Sequence, residues 1–203
     1  MKTLVETNNN YYRPYYLILN LMKLLIGLKK LKSLTGKMTT MGTSIFKKVN
    51  NIEYFEFEED FIENGIRCIP MIVRFKLDKA GIKLKLGEWA KFSSEEKVRL
   101  ALLECNEEEE RKNYYHYVAA LVQHYTNKAA TPLLIDENPE WNNRIKVPAE
   151  LLDKAMEFDK AISKEQWESL TILQRFALLK LCRSGHENKN FPIALKEFGL
   201  INE

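Results

Sequence analysis

The amino-acid sequence predicts a mainly α fold: a compact helical domain over residues 51–203 with a pseudo-duplicated helix-turn-helix unit, behind a basic leader of residues 1–50. Three observations carry that expectation. Apolar side chains recur at helical spacing, as in Tyr114, Val118, Leu121 and Tyr125. Capping boxes open two segments, at Ser93 with Glu96 and at Thr171 with Gln174. A shift of 78 residues lays Trp89 on Trp167, Phe92 on Leu170, Ser93 on Thr171, Glu96 on Gln174 and Lys97 on Arg175.

Taken in order, the elements follow from their own residues. IEYFEFEEDF, dense in aromatic and acidic side chains, allows one short N-terminal strand with Phe55 and Phe57 on one side. Residues 69–80 form a helix with Pro70 in its first turn and Gly81 where a left-handed stop is favoured. The box at Ser93 opens a helix over 94–105, and a longer one follows over 107–127. Glu107 to Glu110 lie at the start of that longer helix, facing the positive end of its dipole. A solvated cap explains the acidic run, and a docking patch for a basic partner is the functional alternative. A loop with Pro132, Pro139 and Trp141 leads to Pro148, which begins a helix running to about Phe158. A short helical piece over 166–170 precedes the helix opened by Thr171. On that helix Leu173, Phe176, Ala177 and Leu181 share one face, and Ser184-Gly185 ends it. The last helix covers 191–198.

Each tryptophan of the repeated unit has an apolar residue five positions before it, Leu84 or Ile162, and a capping box after it. Two copies are too few for a solenoid, which needs at least about three repeats. A pseudo-symmetric bundle accounts for them, with both tryptophans as packing pieces against the longer helices.

The whole chain carries +3, but residues 1–50 hold eight lysines and one arginine against Glu6, which leaves −5 for residues 51–203. An acidic domain lacks the electrostatic footprint of a nucleic-acid binder. In the leader, residues 15–28 (YYLILNLMKLLIGL) are apolar but interrupted by Asn20 and Lys23, and too few to span a bilayer. KKLKSLTGK follows where a secretory cleavage site would stand, and Arg13 is a single arginine where organelle-targeting peptides carry several. Residues 1–37 are therefore expected to be an upstream start or a disordered leader, with Met38 and Met41 as later starts. No membrane association is expected of residues 51–203.

Cys68, Cys105 and Cys182 are odd in number, widely separated and without a CxxC pair, as reduced cytosolic thiols would be. His116 and His124 stand eight apart with Ala120 between them, and His186 is alone in its turn, so metal-ligand spacing is missing. There is no glycine-rich phosphate loop, nucleophile elbow or distinctive carboxylate pair. No bound metal or cofactor is expected, and no catalytic residue is assigned.

The densest polar cluster is His186, Glu187, Asn188, Lys189 and Asn190, five hydrogen-bonding side chains in one turn. Asn190 is placed to cap the last helix and Asn188 to satisfy loop carbonyls. His186, Glu187 and Lys189 are not needed for those tasks. Lys189 and Arg183 bring positive charge near the last helix, where a phosphate or a partner's carboxylate would be held. Cys68 lies between Arg67 and Ile69 at the front of its helix, where backbone donors and a cationic neighbour lower a thiol pKa. Its plain alternative is a small half-buried residue at a helix entrance. Arg67 and Arg74 join the same surface if the two ends of the domain meet. The candidate partner-binding set is therefore Arg67, Cys68, Arg183, His186, Glu187, Asn188, Lys189 and Asn190.

In order and spacing, FEFEEDF (55–61), RCIPM (67–71), GIKLKLGEW (81–89), QWESLTILQRFALLKL (166–181) and HENKNF (186–191) with ALKEFGL resemble the nitrate reductase-associated protein family of cyanobacterial type. The resemblance covers residues 51–203. It implies a small cytoplasmic accessory protein that helps the molybdenum-dependent assimilatory nitrate reductase mature. The implied partner is that enzyme, favoured in its cofactor-free form, with an indirect link to the molybdopterin cofactor. The family carries over no catalytic residue. Two readings compete: an enzyme using a Cys68 thiolate in sulfur transfer or redox chemistry linked to the molybdenum cofactor, and a helical nucleic-acid-binding regulator. The −5 charge argues against the second.

Overall fold

Helix α1 (Met71–Ala80) organises the domain, because its sequence has two apolar sides instead of one. Met71 and Phe75, four apart, enter one hydrophobic core, while Val73, Leu77 and Ala80, continuing from Ile69, enter another. A helix apolar on two sides must be buried on both. Its C-terminal end is as the sequence predicts, but it starts at Met71, two residues later than expected, so Pro70 precedes the first turn instead of lying in it. Pro70 occupies the N-cap, and Gly81 closes the helix in the left-handed region with φ 70°.

The computed structural model describes residues 52–58, 68–183 and 188–201, which lie in one unit spanning residues 43–203. After α1 come β1 (Ile82–Lys83), α2 (Leu86–Trp89), α3 (Ser94–Leu102), α4 (Glu108–Thr126) and β2 (Thr131–Pro132). Then follow α5 (Ala149–Met156), α6 (Lys164–Ser169), α7 (Ile172–Cys182) and α8 (Phe191–Glu197). Short 3-10 turns occupy Glu56–Glu58, Glu140–Asn142 and Asn188–Asn190. The fold is mainly helical. The leader and the Ser184-Gly185 stop lie outside the described residues.

The strand allowed at Phe55 and Phe57 is replaced by the turn Glu56–Glu58. The two rings do share a side, stacked at 5.4 Å and 16°. The backbone N–H groups of Glu56 and Phe57, however, donate to the Glu197 carboxylate at 2.7 and 3.0 Å, so they are not offered to a neighbouring strand. Among the described residues, the sheet is β1 antiparallel to β2, with Ile82 opposite Pro132 and Lys83 opposite Thr131. It went unforeseen because each strand is two residues long and Pro132 reads as loop.

The first core is closed by α1, α3 and α4. Tyr114, Val118 and Leu121 face it from α4, and the Tyr114 hydroxyl donates to the Leu100 carbonyl at 3.2 Å. Within the acidic run Glu110 is a cap: its carboxylate accepts from the N–H groups of Asn106 and Glu107 at 2.8 and 2.9 Å. The second core gathers α5 to α8 around Trp167, Phe176 and Phe191, with Phe55 and Phe57 laid over it. Lys180 on α7 and Asp78 on α1 pair at 2.6 Å across 102 residues of sequence.

Positions 78 residues apart carry matching local features. Pro70 and Pro148 are both N-caps, and Gly81 and Asp159 both adopt positive φ, 70° and 55°. Trp89 and Trp167 are both fully buried. Ser93 and Thr171 accept from the N–H groups of Glu96 and Gln174 at 3.2 and 3.1 Å. Behind each tryptophan a buried cation covers the ring, Lys97 at 5.4 Å and Arg175 at 5.8 Å. One detail differs. The Trp167 indole N–H donates to the Asn143 carbonyl at 2.8 Å, whereas the Trp89 N–H has no hydrogen-bond partner among the described residues.

Candidate functional site

The start of α1 is where the two ends of the domain meet. Pro70 has no side chain able to cap the helix, so the exposed N–H of Met71 must find an acceptor elsewhere. Glu58 supplies it from 13 residues away: its carboxylate accepts from Met71 N–H at 2.7 Å and from Phe55 N–H at 3.4 Å. Glu58 is 7% exposed, and burial pushes its carboxyl up to about 7, against the pull of those two N–H groups and of Arg74. Arg74 in turn donates through Nε to the Ile69 carbonyl at 2.8 Å. A cavity of about 20 Å³ is lined by Glu58, Cys68, Arg74 and Asn190 among others. Asn190 thus shares one wall with Cys68 and Arg74, more than 110 residues before it in sequence.

Of the predicted partner-binding set, Arg67, His186 and Glu187 lie outside the described residues, as does the side chain of Asn188. Lys189 is on the turn Asn188–Asn190. Asn190 does not cap α8 as expected. It is buried in helical geometry, φ −84° and ψ −15°, and makes no side-chain bond to the helix. A capping side chain needs an extended backbone, and here the 3-10 turn runs straight into α8. Arg183 is exposed at the end of α7 and opens onto a groove instead.

That groove, about 1760 Å³, runs beside α1 between the N-terminal half of α4 and the loop after β2. Cys68 and Arg74 stand in its wall. Basic side chains come from α1 (Arg74, Lys79), from β1 (Lys83), from α4 (Arg111, Lys112) and from the end of α7 (Lys180, Arg183). These seven face Asp78, Glu108, Asp136 and Glu137, a net of +3 on a domain that totals −5. Two of the acids are already paired, Asp78 with Lys180 at 2.6 Å and Glu108 with Lys112 at 2.5 Å. The outer lip is the strip after β2, anchored where Leu133 N–H donates to the Gly81 carbonyl at 2.8 Å. Gly81 is essential to that approach, since a Cβ there would stand 2.7 Å from Ile135 Cγ1.

The three cysteines differ in kind. Burial pushes the Cys105 thiol up to about 11 and the Cys182 thiol up to about 12, so neither is a thiolate near neutrality. Cys68 is half-buried and borders the groove. Among the described residues, no group of three His, Cys, Asp or Glu side chains is arranged to hold a metal, and no helix is long and apolar enough to cross a membrane.

Sequence reasoning missed Glu58 and the lip of the groove. Glu58 sits in the FEFEEDF motif, where nothing local separates its buried carboxylate from the acids beside it. The lip had a signal: LLI directly after Pro132 is an aliphatic run in a loop without helical spacing.

No curated protein and no solved structure matches the chain. A family model described as the conserved nitrate reductase-associated protein matches residues 54–198, from the aromatic segment that covers the second core to the phenylalanine that packs against it. The chain belongs to the conserved nitrate reductase-associated protein family.

Proposed function

We propose that this chain is an accessory factor that binds the molybdenum-dependent assimilatory nitrate reductase and assists its assembly or cofactor insertion. The observation that carries the reading is the family match over residues 54–198, which takes in both cores and the groove between α1 and the β2 loop. The family description itself speaks of association with nitrate reductase. Such a factor performs no chemistry of its own. It holds the cofactor-free enzyme in an open state and contributes differential affinity for that state, which shifts the population toward insertion. It works in the cytoplasm, where its unbridged thiols are stable.

The test is capture of the nitrate reductase from the same source by the tagged full chain, with the enzyme prepared cofactor-free and cofactor-loaded. Preferential capture of the cofactor-free enzyme is the expected result. Equal capture of both makes the chain a standing subunit or regulator, and capture of neither overturns the reading.

A further inference from the structure

We propose that the groove beside α1 is a docking surface for an extended, acidic polypeptide segment of the partner protein that carries aliphatic side chains. The proposal rests on the accessory-factor reading and adds the chemistry by which the partner is recognised.

Charge is the first argument. The groove concentrates seven basic side chains against four acidic ones, while residues 51–203 as a whole are net negative. An acidic partner is therefore repelled by most of the domain and attracted to this one face, which sets where and in which orientation it lands. The apolar rim is the second. Leu134 is 95% exposed, and Leu86, Ile135 and Ile172 are 49%, 45% and 41% exposed, all four on the groove and none in either core. Aliphatic side chains gathered at the edge of a basic cleft give a small inorganic anion nothing to bind, but they suit apolar side chains alternating with carboxylates. Size is the third. At about 1760 Å³ the groove exceeds the roughly 300–1,000 Å³ of pockets for single small molecules, and it fits a stretch of chain. The lip is also held in place, because Leu133 is bonded to Gly81 and Ile135 rests where Gly81 lacks a side chain. A fixed lip spares the complex the cost of ordering a loop on binding.

The experiment is fluorescence anisotropy of the full chain with labelled dodecapeptides. One is rich in Asp and Leu, a second has Lys in place of each Asp, and a third has Ser in place of each Leu. A single-stranded oligonucleotide and inorganic phosphate serve as competitors. The Asp-Leu peptide is expected to bind best and to weaken as salt rises. Leu134→Ser and Arg183→Glu, both at exposed positions outside the cores, are each expected to weaken it about tenfold while leaving the melting temperature unchanged. Equal binding of the Asp and Lys peptides, indifference to both substitutions, or displacement by the oligonucleotide or by phosphate overturns the proposal. If the peptide arm fails while client capture persists, the accessory function stands and the groove is not its contact. If the peptide binds and the client is not captured, the groove stands and the choice of client is wrong.

Discussion

Replacing Glu58 with glutamine tests the assignment of the buried carboxyl at the head of α1. In the folded chain burial raises that carboxyl from 4.5 to about 7. Between those values the unfolded chain has given up a proton that the folded chain still holds, so stability falls as pH rises. Below about 4.5 both states are protonated and the contribution is full; above about 7 both are ionised and it is gone. The gap from 4.5 to about 7, at about 1.4 kcal/mol per pH unit, amounts to about 3 kcal/mol. That is a large share of the roughly 5–15 kcal/mol by which domains are stable. The amide of the Glu58→Gln variant cannot ionise, so urea unfolding of both proteins across this range isolates the effect. The unfolding free energy of the parent, less that of Glu58→Gln, should drop by about 3 kcal/mol from pH 4.5 to pH 7 and be flat outside. Parallel curves would refute the reasoning. A difference that rises with pH would mean that the N–H groups of Met71 and Phe55, with Arg74, outweigh burial.

Gly81→Ala should cost about 1–3 kcal/mol from its positive φ, and more than Gly199→Ala, which has the same φ sign but no atom within 4 Å of the added Cβ. Melting temperatures of the pair decide it, at about 2–4 °C per kcal/mol. Trp167→Phe should destabilise by about 1 kcal/mol more than Trp89→Phe, because only Trp167 has an indole hydrogen bond to lose; equal losses in chemical denaturation would count against the bond to Asn143. Thiol labelling of the native protein at pH 8 should modify Cys68 first and leave Cys105 and Cys182 until unfolding, with mass spectrometry after digestion as the readout.

Local signals were legible and remote ones were not. Pro70 and Gly81 bracket α1 because each acts on its own backbone, and Ser93 and Thr171 cap their helices within three residues. Helix α4 follows from a sustained apolar period. Phe55 and Phe57 misled because residues two apart share a side in a strand and here also stack on a 3-10 turn. Glu58 was invisible because its function is set by Met71, which the fold alone brings to it. Asn190 was assigned from residue type, whereas its backbone geometry, set by the preceding turn, withholds the cap. Of the predicted surface, Cys68 and Arg183 do share the groove, yet its aliphatic lip is contributed by a loop that the polar turn gave no reason to consider.

The two-sided character of α1 also dictates an order of construction. The partners of its Val73 and Leu77 side, on α3 and α4, are translated soon after it, so the first core is able to close early. Met71 and Phe75 wait for α7, whose Phe176 packs edge-on against Phe75 at 5.2 Å and lies about 100 residues downstream. At synthesis rates of about 5–20 residues per second, a nascent chain carries that apolar stripe uncovered for about 5–20 s. During that interval the half-made protein exposes apolar surface of the kind that chaperones cover.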